Sequence, residues 1–145
     1  MTRYPVTARI EVRWRDIDAL GHVNNAVYFT YLEVARGRYF DQVFRRNEFP
    51  GITCLLVAVS CDYLCPIHQG DVVEVGIRIP AVGETSFDFE YETRTVKETR
   101  VVARARSTQV LYDRIAGWKI PITQDRLAAI TDVQGKQPPR IKRVT

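Results

Sequence analysis

The stretch NAVYFTYLEVARGRYFDQVFRR, residues 25–46, contains an apolar stripe with the repeat of an α-helix. Its members recur at intervals of three and four residues, and they are Tyr28, Tyr31, Leu32, Ala35, Tyr39 and Val43. This spacing puts them on one face of a helix about 30 Å long, since each residue adds about 1.5 Å. Asn24 or Asn25 can cap its start, because a short amide side chain accepts from the free N–H groups there. The pattern predicts one long helix from about Asn25 to about Arg46.

The predicted helix has a second face that is also mostly apolar or small. This face consists of Ala26, Phe29, Thr30, Glu33, Gly37 and Phe40. A helix that is apolar on two sides must be covered on two sides. We therefore expect a sheet that curls around the helix.

Segments on both sides of the helix alternate between apolar and polar residues, as half-buried strands do. TARIEVRW, residues 7–14, places Ala8, Ile10, Val12 and Trp14 on one face. Five strand-like segments follow the helix, namely residues 52–64, 71–80, 85–96, 100–113 and 117–122, and QDRLAAI (124–130) predicts a terminal helical turn. One helix among consecutive strands indicates an α+β fold with an antiparallel sheet.

Composition sets limits on the class of protein. The chain has 145 residues, 46% apolar and 26% charged, which predicts one globular domain over 1–145 with a flexible basic tail from about 134. It has no apolar run long enough for a membrane span and no signal-peptide pattern at its start. Three cysteines without a CxxC pair predict free thiols in the reducing cytoplasm. The net charge of +4 is mild and its cations are scattered, so we expect no nucleic-acid partner.

The most specific motif is RDIDALGHVNN, residues 15–25, followed by Tyr28, Tyr31, Glu33 and Arg36. This D-x-D-x-x-G-H-V-N-N block at a strand-to-helix junction resembles the hotdog acyl-CoA thioesterases of the 4-hydroxybenzoyl-CoA thioesterase family. Turns at Pro66, at Gly70-Asp71 and at residues 83–86 also resemble the family's turns. The resemblance implies a hotdog fold, in which a curled antiparallel sheet wraps one central helix, and hydrolysis of an acyl-CoA to acid and CoA.

The resemblance carries the family's catalytic carboxylate to Asp18 and its thioester-polarising backbone N–H to Asn25. The GHVNN loop is closer to the family's fatty-acyl members than to its aromatic-CoA members, so we expect an aliphatic acyl group. Chemistry agrees, because a carboxylate before a helix and the helix N-terminus can act on the same carbonyl carbon. Whether Asp18 is a general base or a nucleophile stays open. Asp16 is interpreted as structural, paired with Arg13 or Arg15.

Other residues are candidates for supporting roles. His22 is a candidate catalytic group or a residue that orients the loop. Glu33 is a candidate carboxylate, although an ion pair with Arg36 or a structural hydrogen bond explains it better. Arg104 and Arg106 share a strand face and are candidates for the CoA phosphates. The remaining candidate substrate-binding residues are Gly21, Val23, Asn24, Tyr28 and Ser86.

We expect neither a metal nor another cofactor, because the set Cys61, Cys65 and His68 lacks a convincing fourth ligand. The resemblance implies a homo-oligomer, a dimer or a homotetramer built from dimers, with sites between subunits. One alternative is an acyl-ACP thioesterase, and another is a non-catalytic hotdog protein that binds acyl-CoA. A hotdog dehydratase fits least, because its catalytic His and acid occupy a different pattern.

Overall fold

The computed structural model describes residues 3–44 and 51–143. Within these ranges the chain forms six strands and two helices. Their order is β1 (Val6–Glu11), α1 (Val27–Phe44), β2 (Ile52–Tyr63), β3 (Val72–Arg78), β4 (Ser86–Thr95), β5 (Val101–Asp113), β6 (Trp118–Lys119) and α2 (Gln124–Gln134). A short 3₁₀ turn at Trp14–Asp16 follows β1. This order confirms the predicted α+β architecture.

The strands form one antiparallel sheet in the order β1-β3-β4-β5-β2, and β6 pairs with β5. Alternate residues of β3 and β4 are buried, as predicted, and they include Val73, Val75, Ile77, Phe87, Phe89 and Tyr91. These side chains form one hydrophobic cluster with the apolar stripe of α1. The ring of Tyr39 in α1, for example, lies 5.0 Å from that of Phe89. The core therefore lies between one face of α1 and the concave face of the sheet.

Helix α1 confirms the predicted apolar stripe, whose six members are all buried. The helix begins at Val27, and the predicted end at Arg46 lies outside the described residues. The second face differs from expectation. Its small and polar members are exposed, while Phe29 and Phe40 are half-buried. The expectation that the chain's own sheet covers both faces is wrong, because the concave face of a single sheet reaches only one side of the helix.

Strand β2 lies at an edge of the sheet, since among the described residues it pairs with β5 alone. Its apolar run is largely exposed from Leu55 to Ser60, and Val57 is 58% exposed. Trp14, expected on the buried face of β1, is 79% exposed. It is exposed because β1 ends at Glu11 and Trp14 is the first residue of the 3₁₀ turn, so it does not lie on a strand face.

The C-terminal part of the chain packs on the sheet. Helix α2 is longer than the predicted turn; the side chain of Thr123 caps its start, and Gly135, at φ +75°, ends it. Residues 136–143, called the C-terminal segment below, run beside Val82, whose backbone bonds to Pro139 and Ile141. They are not the solvated tail that composition predicts, because these hydrogen bonds hold the segment. No helix of the described residues is long and apolar enough to span a membrane.

Candidate active site

The loop before α1 is anchored by Asp16, which is 1% exposed. Its carboxylate accepts hydrogen bonds from the backbone N–H and guanidinium of Arg13 and from the Tyr31 hydroxyl, at 2.7–3.0 Å. Burial by itself raises the pKa of Asp16, but these bonds and the Arg13 charge together hold the pKa below its usual value. The predicted structural pairing of Asp16 with Arg13 is confirmed.

Asp18 lies two residues further on and is partly open to solvent. Its Oδ1 accepts from the backbone N–H of Leu20 at 2.9 Å, and its Oδ2 accepts from Nδ2 of Asn24 at 3.3 Å. A tight turn closes the loop, with backbone bonds from Asp18 to His22 and from Gly21 to Asp18, and with Gly21 at φ +88°. This left-handed conformation favours glycine. The turn therefore fixes the direction of the carboxylate while leaving it accessible.

Asn24 joins this carboxylate to the start of α1. Its Oδ1 accepts from the N–H of Ala26 at 2.9 Å, and its carbonyl accepts from the N–H of Val27. Asn24 therefore forms a turn just before α1 rather than a cap on the first turn of the helix, which begins at Val27. The N–H of Asn25 has no acceptor among residues 3–44 and 51–143. A free N–H donor thus lies one residue from the asparagine that holds Asp18.

Tyr63, at the end of β2, fixes the other side of this helix start. Its hydroxyl donates to the carbonyl of Asn25 at 2.9 Å, and its ring meets that of Tyr28 edge-on at 4.8 Å. Tyr28 is 5% exposed, and burial raises its pKa to about 12. Sequence reasoning does not find the bond to Asn25, because its partners are 38 residues apart. A tyrosine that ends an otherwise apolar strand is the one available signal.

The other loop candidates occupy different positions. The ring of exposed His22 lies 5.3 Å from that of His68, edge to face, and only its carbonyl touches Asp18. Val23 is buried in the core, and its N–H bonds to the carbonyl of Ile67 at 2.8 Å. The loop is therefore attached both to the core and to the chain that follows β2.

Glu33 is exposed on the second face of α1. The ion pair suggested between Glu33 and Arg36 is absent among the described residues. Arg36 donates instead to the Tyr91 hydroxyl at 3.1 Å, because it points toward the sheet. No bond of the described residues links Glu33 to the Asp18 loop.

The candidates on the sheet lie apart from that loop. Ser86 is buried at the start of β4. Arg104 and Arg106 are exposed on β5, as predicted, and Arg104 pairs with the buried carboxylate of Glu92 at 3.3 Å. No bond of the described residues joins any of the three to Asp18. A single chain thus assembles the carboxylate and the helix start, but not the predicted CoA contacts.

The three cysteines are free and partly buried, as predicted. Burial raises the pKa of Cys54 to about 12 and that of Cys61 to about 11, which leaves both thiols protonated near neutral pH. The part of the chain that the structure describes contains no group of three or more His, Cys, Asp or Glu placed to hold a metal ion.

The geometry brings together a solvent-accessible carboxylate, the start of α1 and a free backbone N–H. The N-terminus of a helix stabilises negative charge, both on a carboxylate and on a developing oxyanion. This arrangement suits attack on a carbonyl carbon next to Asp18.

Known proteins are similar to this chain over most of its length. A family model described as the thioesterase-like superfamily matches residues 12–139. A relative from Aquifex aeolicus (strain VF5), provisionally named an esterase, is 31% identical over 135 residues, 88% of this chain and 99% of its own. YsmA, an uncharacterized protein of Bacillus subtilis (strain 168), is 27% identical over 90 residues, 62% of this chain and 61% of YsmA.

Solved structures also include a thioesterase that is similar to this chain over most of its length. A thioesterase from Thermus thermophilus, complexed with coenzyme A and Zn, matches with a TM-score of 0.81 at 32% identity. The match covers 94% of this chain and 98% of that one. With the fold, the loop motif and the family model in agreement, this chain belongs to the thioesterase-like superfamily and has its hotdog fold.

Proposed function

We propose that this protein hydrolyses an acyl-CoA thioester to the free acid and CoA, with Asp18 as the catalytic carboxylate. The observation that carries the proposal is the hydrogen bond from Asn24 to Asp18, because Asn24 also forms the turn that leads into α1, beside the free N–H of Asn25. A carboxylate and an oxyanion donor are the two groups that thioester hydrolysis requires.

The Asn25 N–H donates to the thioester carbonyl oxygen in both possible mechanisms. If Asp18 is a general base, it takes a proton from water, and the water oxygen attacks the carbonyl carbon. The oxyanion then collapses, the C–S bond breaks, and the CoA thiolate takes up the proton. If Asp18 is a nucleophile, its oxygen forms a mixed anhydride with the acyl group and expels CoA thiolate, and water then hydrolyses the anhydride.

An aliphatic acyl group remains our proposal for the substrate, on the resemblance of the loop of residues 21–25 to fatty-acyl members. The Thermus thioesterase was solved with coenzyme A, which supports CoA as the carrier here. Each CH₂ group buried in an apolar slot adds about 0.8 kcal/mol of binding free energy, so kcat/KM rises with chain length until the slot is full. The free cysteines agree with the proposed cytoplasmic location.

We also propose that the active unit is a homo-oligomer built from dimers. Two surfaces of the single chain support this: the exposed apolar edge of β2, and the second face of α1, where Phe29 and Phe40 are only half-buried. An unpaired apolar strand edge invites pairing with another chain. A second copy that pairs with β2 would extend the sheet.

The experiment measures thiol release from acetyl-, hexanoyl-, decanoyl-, palmitoyl- and 4-hydroxybenzoyl-CoA under one condition. We expect wild-type activity that rises with aliphatic chain length, and at least about a 100-fold loss of kcat in Asp18→Asn. Glu33→Gln is the matched control, because Glu33 is an exposed carboxylate on the following helix with no bond to the loop. Thermal unfolding of both variants checks that they fold.

Other results of this experiment would each contradict one part of the proposal. A fully active Asp18→Asn removes the mechanism, and loss of activity in Glu33→Gln alone would exchange the two roles. A preference for the aromatic substrate removes the aliphatic assignment, whereas faster turnover of acyl-ACP changes the carrier. Tight acyl-CoA binding without turnover would indicate a binding protein. If a chelator removes the activity and zinc restores it, the reaction depends on a metal, contrary to the proposal.

A further inference from the structure

A groove of about 920 Å³ lies at the opposite end of β2 from Tyr63. One side is formed by Leu55 and Val57 together with outward-facing residues of β5, and the other by the C-terminal segment. Ser86, a candidate for substrate binding, contributes to its lining. Nothing in the proposed reaction at Asp18 uses this groove.

Part of the groove is apolar and open. Leu55 is 45% exposed and Val57 is 58% exposed, and Ile141 of the C-terminal segment faces them with 39% exposure. Tyr112 adds a half-buried aromatic ring. The groove can therefore hold a flat or apolar part of a ligand.

The rest of the lining is strongly basic, with four cations, Lys119, Arg140, Lys142 and Arg143, against the single carboxylate of Glu84. Asp88, at 2.5 Å, neutralises Arg143. Arg140 donates to the carbonyls of Gly83 and Ile122. Among the described residues, Arg140, Lys119 and Lys142 form no ion pair. Three cations without an ion-pair partner in the described part of the chain thus line one open groove.

Hydrogen bonds hold these cations in place. The N–H of Val82 donates to the carbonyl of Pro139 at 3.0 Å, and the N–H of Ile141 donates back to Val82 at 2.7 Å. Lys119 belongs to β6, which pairs with β5. The cations therefore project from fixed backbone, which lowers the entropy cost of binding an anion.

We propose that this groove binds the phosphorylated adenosine end of coenzyme A, an inference that rests on the proposed acyl-CoA hydrolysis. The phosphates contact Lys119, Arg140 and Lys142, and the adenine lies on the apolar lining beside Tyr112. This ligand combines several negative charges with a flat ring, and the groove offers the complement of both.

The alternative phosphate site, at Arg104 and Arg106, is less suited to this ligand. The carboxylate of Glu92 already neutralises Arg104 and also pairs with Arg94. Arg106 lines a neighbouring depression of about 210 Å³, against about 920 Å³ for the groove. An incoming nucleotide meets one neutralised arginine and little room there, and net positive charge in the larger groove.

The groove can serve an Asp18 site only across two subunits. Leu55 and Tyr63 are eight residues apart on β2, about 26 Å at about 3.3 Å per residue, and Tyr63 bonds to the start of α1. If two β2 edges pair antiparallel about a two-fold axis near mid-strand, Leu55 lies beside the partner subunit's Tyr63. The groove of one subunit then adjoins the Asp18 loop of the other, and the pantetheine arm joins them.

The test compares three thioesters with one acyl group: acyl-CoA, acyl-3′-dephospho-CoA and S-acyl-pantetheine, which lacks the nucleotide. For the double variant Lys119→Ala/Lys142→Ala, we expect KM for acyl-CoA to rise about 5-fold or more at unchanged kcat, because one exposed ion contact changes affinity by up to about 5-fold. KM for S-acyl-pantetheine stays unchanged. Lys97→Ala, an exposed lysine in the β4–β5 turn, is the control and leaves all values at wild type.

Direct binding of adenosine 3′,5′-bisphosphate, measured by calorimetry, separates this inference from the proposed function. We expect wild type to bind it and the double variant to bind at least about 5-fold more weakly. If wild type hydrolyses no thioester but shows this difference, the proposed function fails and the nucleotide site stands. Equal KM changes for acyl-CoA and S-acyl-pantetheine, or no change for either, overturn the site. An effect confined to acyl-ACP would identify the groove as a surface for a carrier protein and also overturn it.

Discussion

Two aspartates, two positions apart in the chain, have opposite surroundings. Asp16 is buried and accepts four hydrogen bonds from Arg13 and Tyr31. Asp18 accepts two and remains open to solvent. Buried, saturated carboxylates stabilise structure, whereas a catalytic carboxylate must reach its substrate. The first aspartate therefore fixes the loop, and the second is left for chemistry.

We expect Asp16→Asn to lower the free energy of unfolding by about 2 kcal/mol, because an amide nitrogen cannot accept the hydrogen bonds that the carboxylate accepts. Urea unfolding at pH 7 measures the change. Asp41→Asn, an exposed acid on α1, is the control and should have little effect. A variant as stable as wild type would show that the four bonds contribute nothing net.

The difference in stability between wild type and Asp16→Asn should depend on pH. The pKa of Asp16 in the folded protein lies below its unfolded value of about 3.9. The ionised carboxylate therefore contributes its full stabilisation to the folded state above about pH 3.9. This stabilisation is lost as the pH falls through the lower, folded-state pKa. Urea unfolding at several pH values should therefore show the gap between wild type and Asp16→Asn narrowing only in acid. A gap that stays constant down to about pH 2 would contradict the assignment.

Sequence reasoning finds those parts of the site that depend on neighbouring residues. The structural role of Asp16 follows from the chemistry of a polar loop before a helix, and the structure confirms it. Asn24, expected as a possible cap, instead forms a turn just before α1. The bond from Tyr63 to Asn25 and the contact of His22 with His68 join distant parts of the chain. No local pattern encodes such contacts, because they depend on how the sheet places the end of β2.

At the scale of elements, periodicity predicts which residues are buried where one partner covers one face. The stripe of α1 and the alternating residues of β3 and β4 are buried as expected. Periodicity fails on the second face of α1 and along β2, which no other described element of the chain covers. An apolar pattern shows that a face is suited to burial, but not that the same chain buries it.

Asn24 connects the stability of α1 with the candidate active site, because its side chain bonds both to the helix start and to Asp18. We expect Asn24→Ala to lower the free energy of unfolding by about 1 kcal/mol, because the N–H of Ala26 loses its acceptor before the helix start. It should also lower kcat, because Asp18 loses the hydrogen bond from Nδ2. Thermal unfolding and thiol release measure the two effects. If Asn24→Ala loses stability but keeps the wild-type kcat, Asn24 only supports the start of α1.

Asn24→Asp separates these roles, since an aspartate oxygen can also accept from the N–H of Ala26. Stability should stay near that of wild type, but the donor to Asp18 becomes a second carboxylate. Two carboxylates this close disfavour each other's ionisation, so the acidic limb of the kcat/KM profile should move to higher pH. An unmoved profile would mean that Asp18 does not carry that limb.

At the scale of the molecule, one strand edge and one helix face leave apolar side chains exposed. The exposed run of β2 forms a sheet edge, and the open face of α1 carries Phe29 and Phe40. Natural proteins usually protect a long apolar edge with charges, prolines or another chain. Between Leu55 and Val59 this edge carries no charge and no proline, which supports the proposed pairing with another chain.

A single charge at the centre of β2 should therefore separate the subunits and remove activity together. We expect Val59→Lys to convert the oligomer to monomers, because a two-fold axis near mid-strand brings the two lysines close to each other. Inward-pointing lysines are also a natural means of preventing edge pairing.

Sedimentation velocity measures the mass, and thiol release measures kcat/KM in the same samples. Ile115→Lys, which replaces another exposed apolar residue in the β5–β6 turn, is the control and should keep both mass and activity. Since the groove would meet only the other subunit's Asp18, monomers should lose turnover of acyl-CoA even though each keeps its Asp18 loop. A fully active monomer would place the complete site within one chain, and an oligomer that survives Val59→Lys would move the interface away from β2.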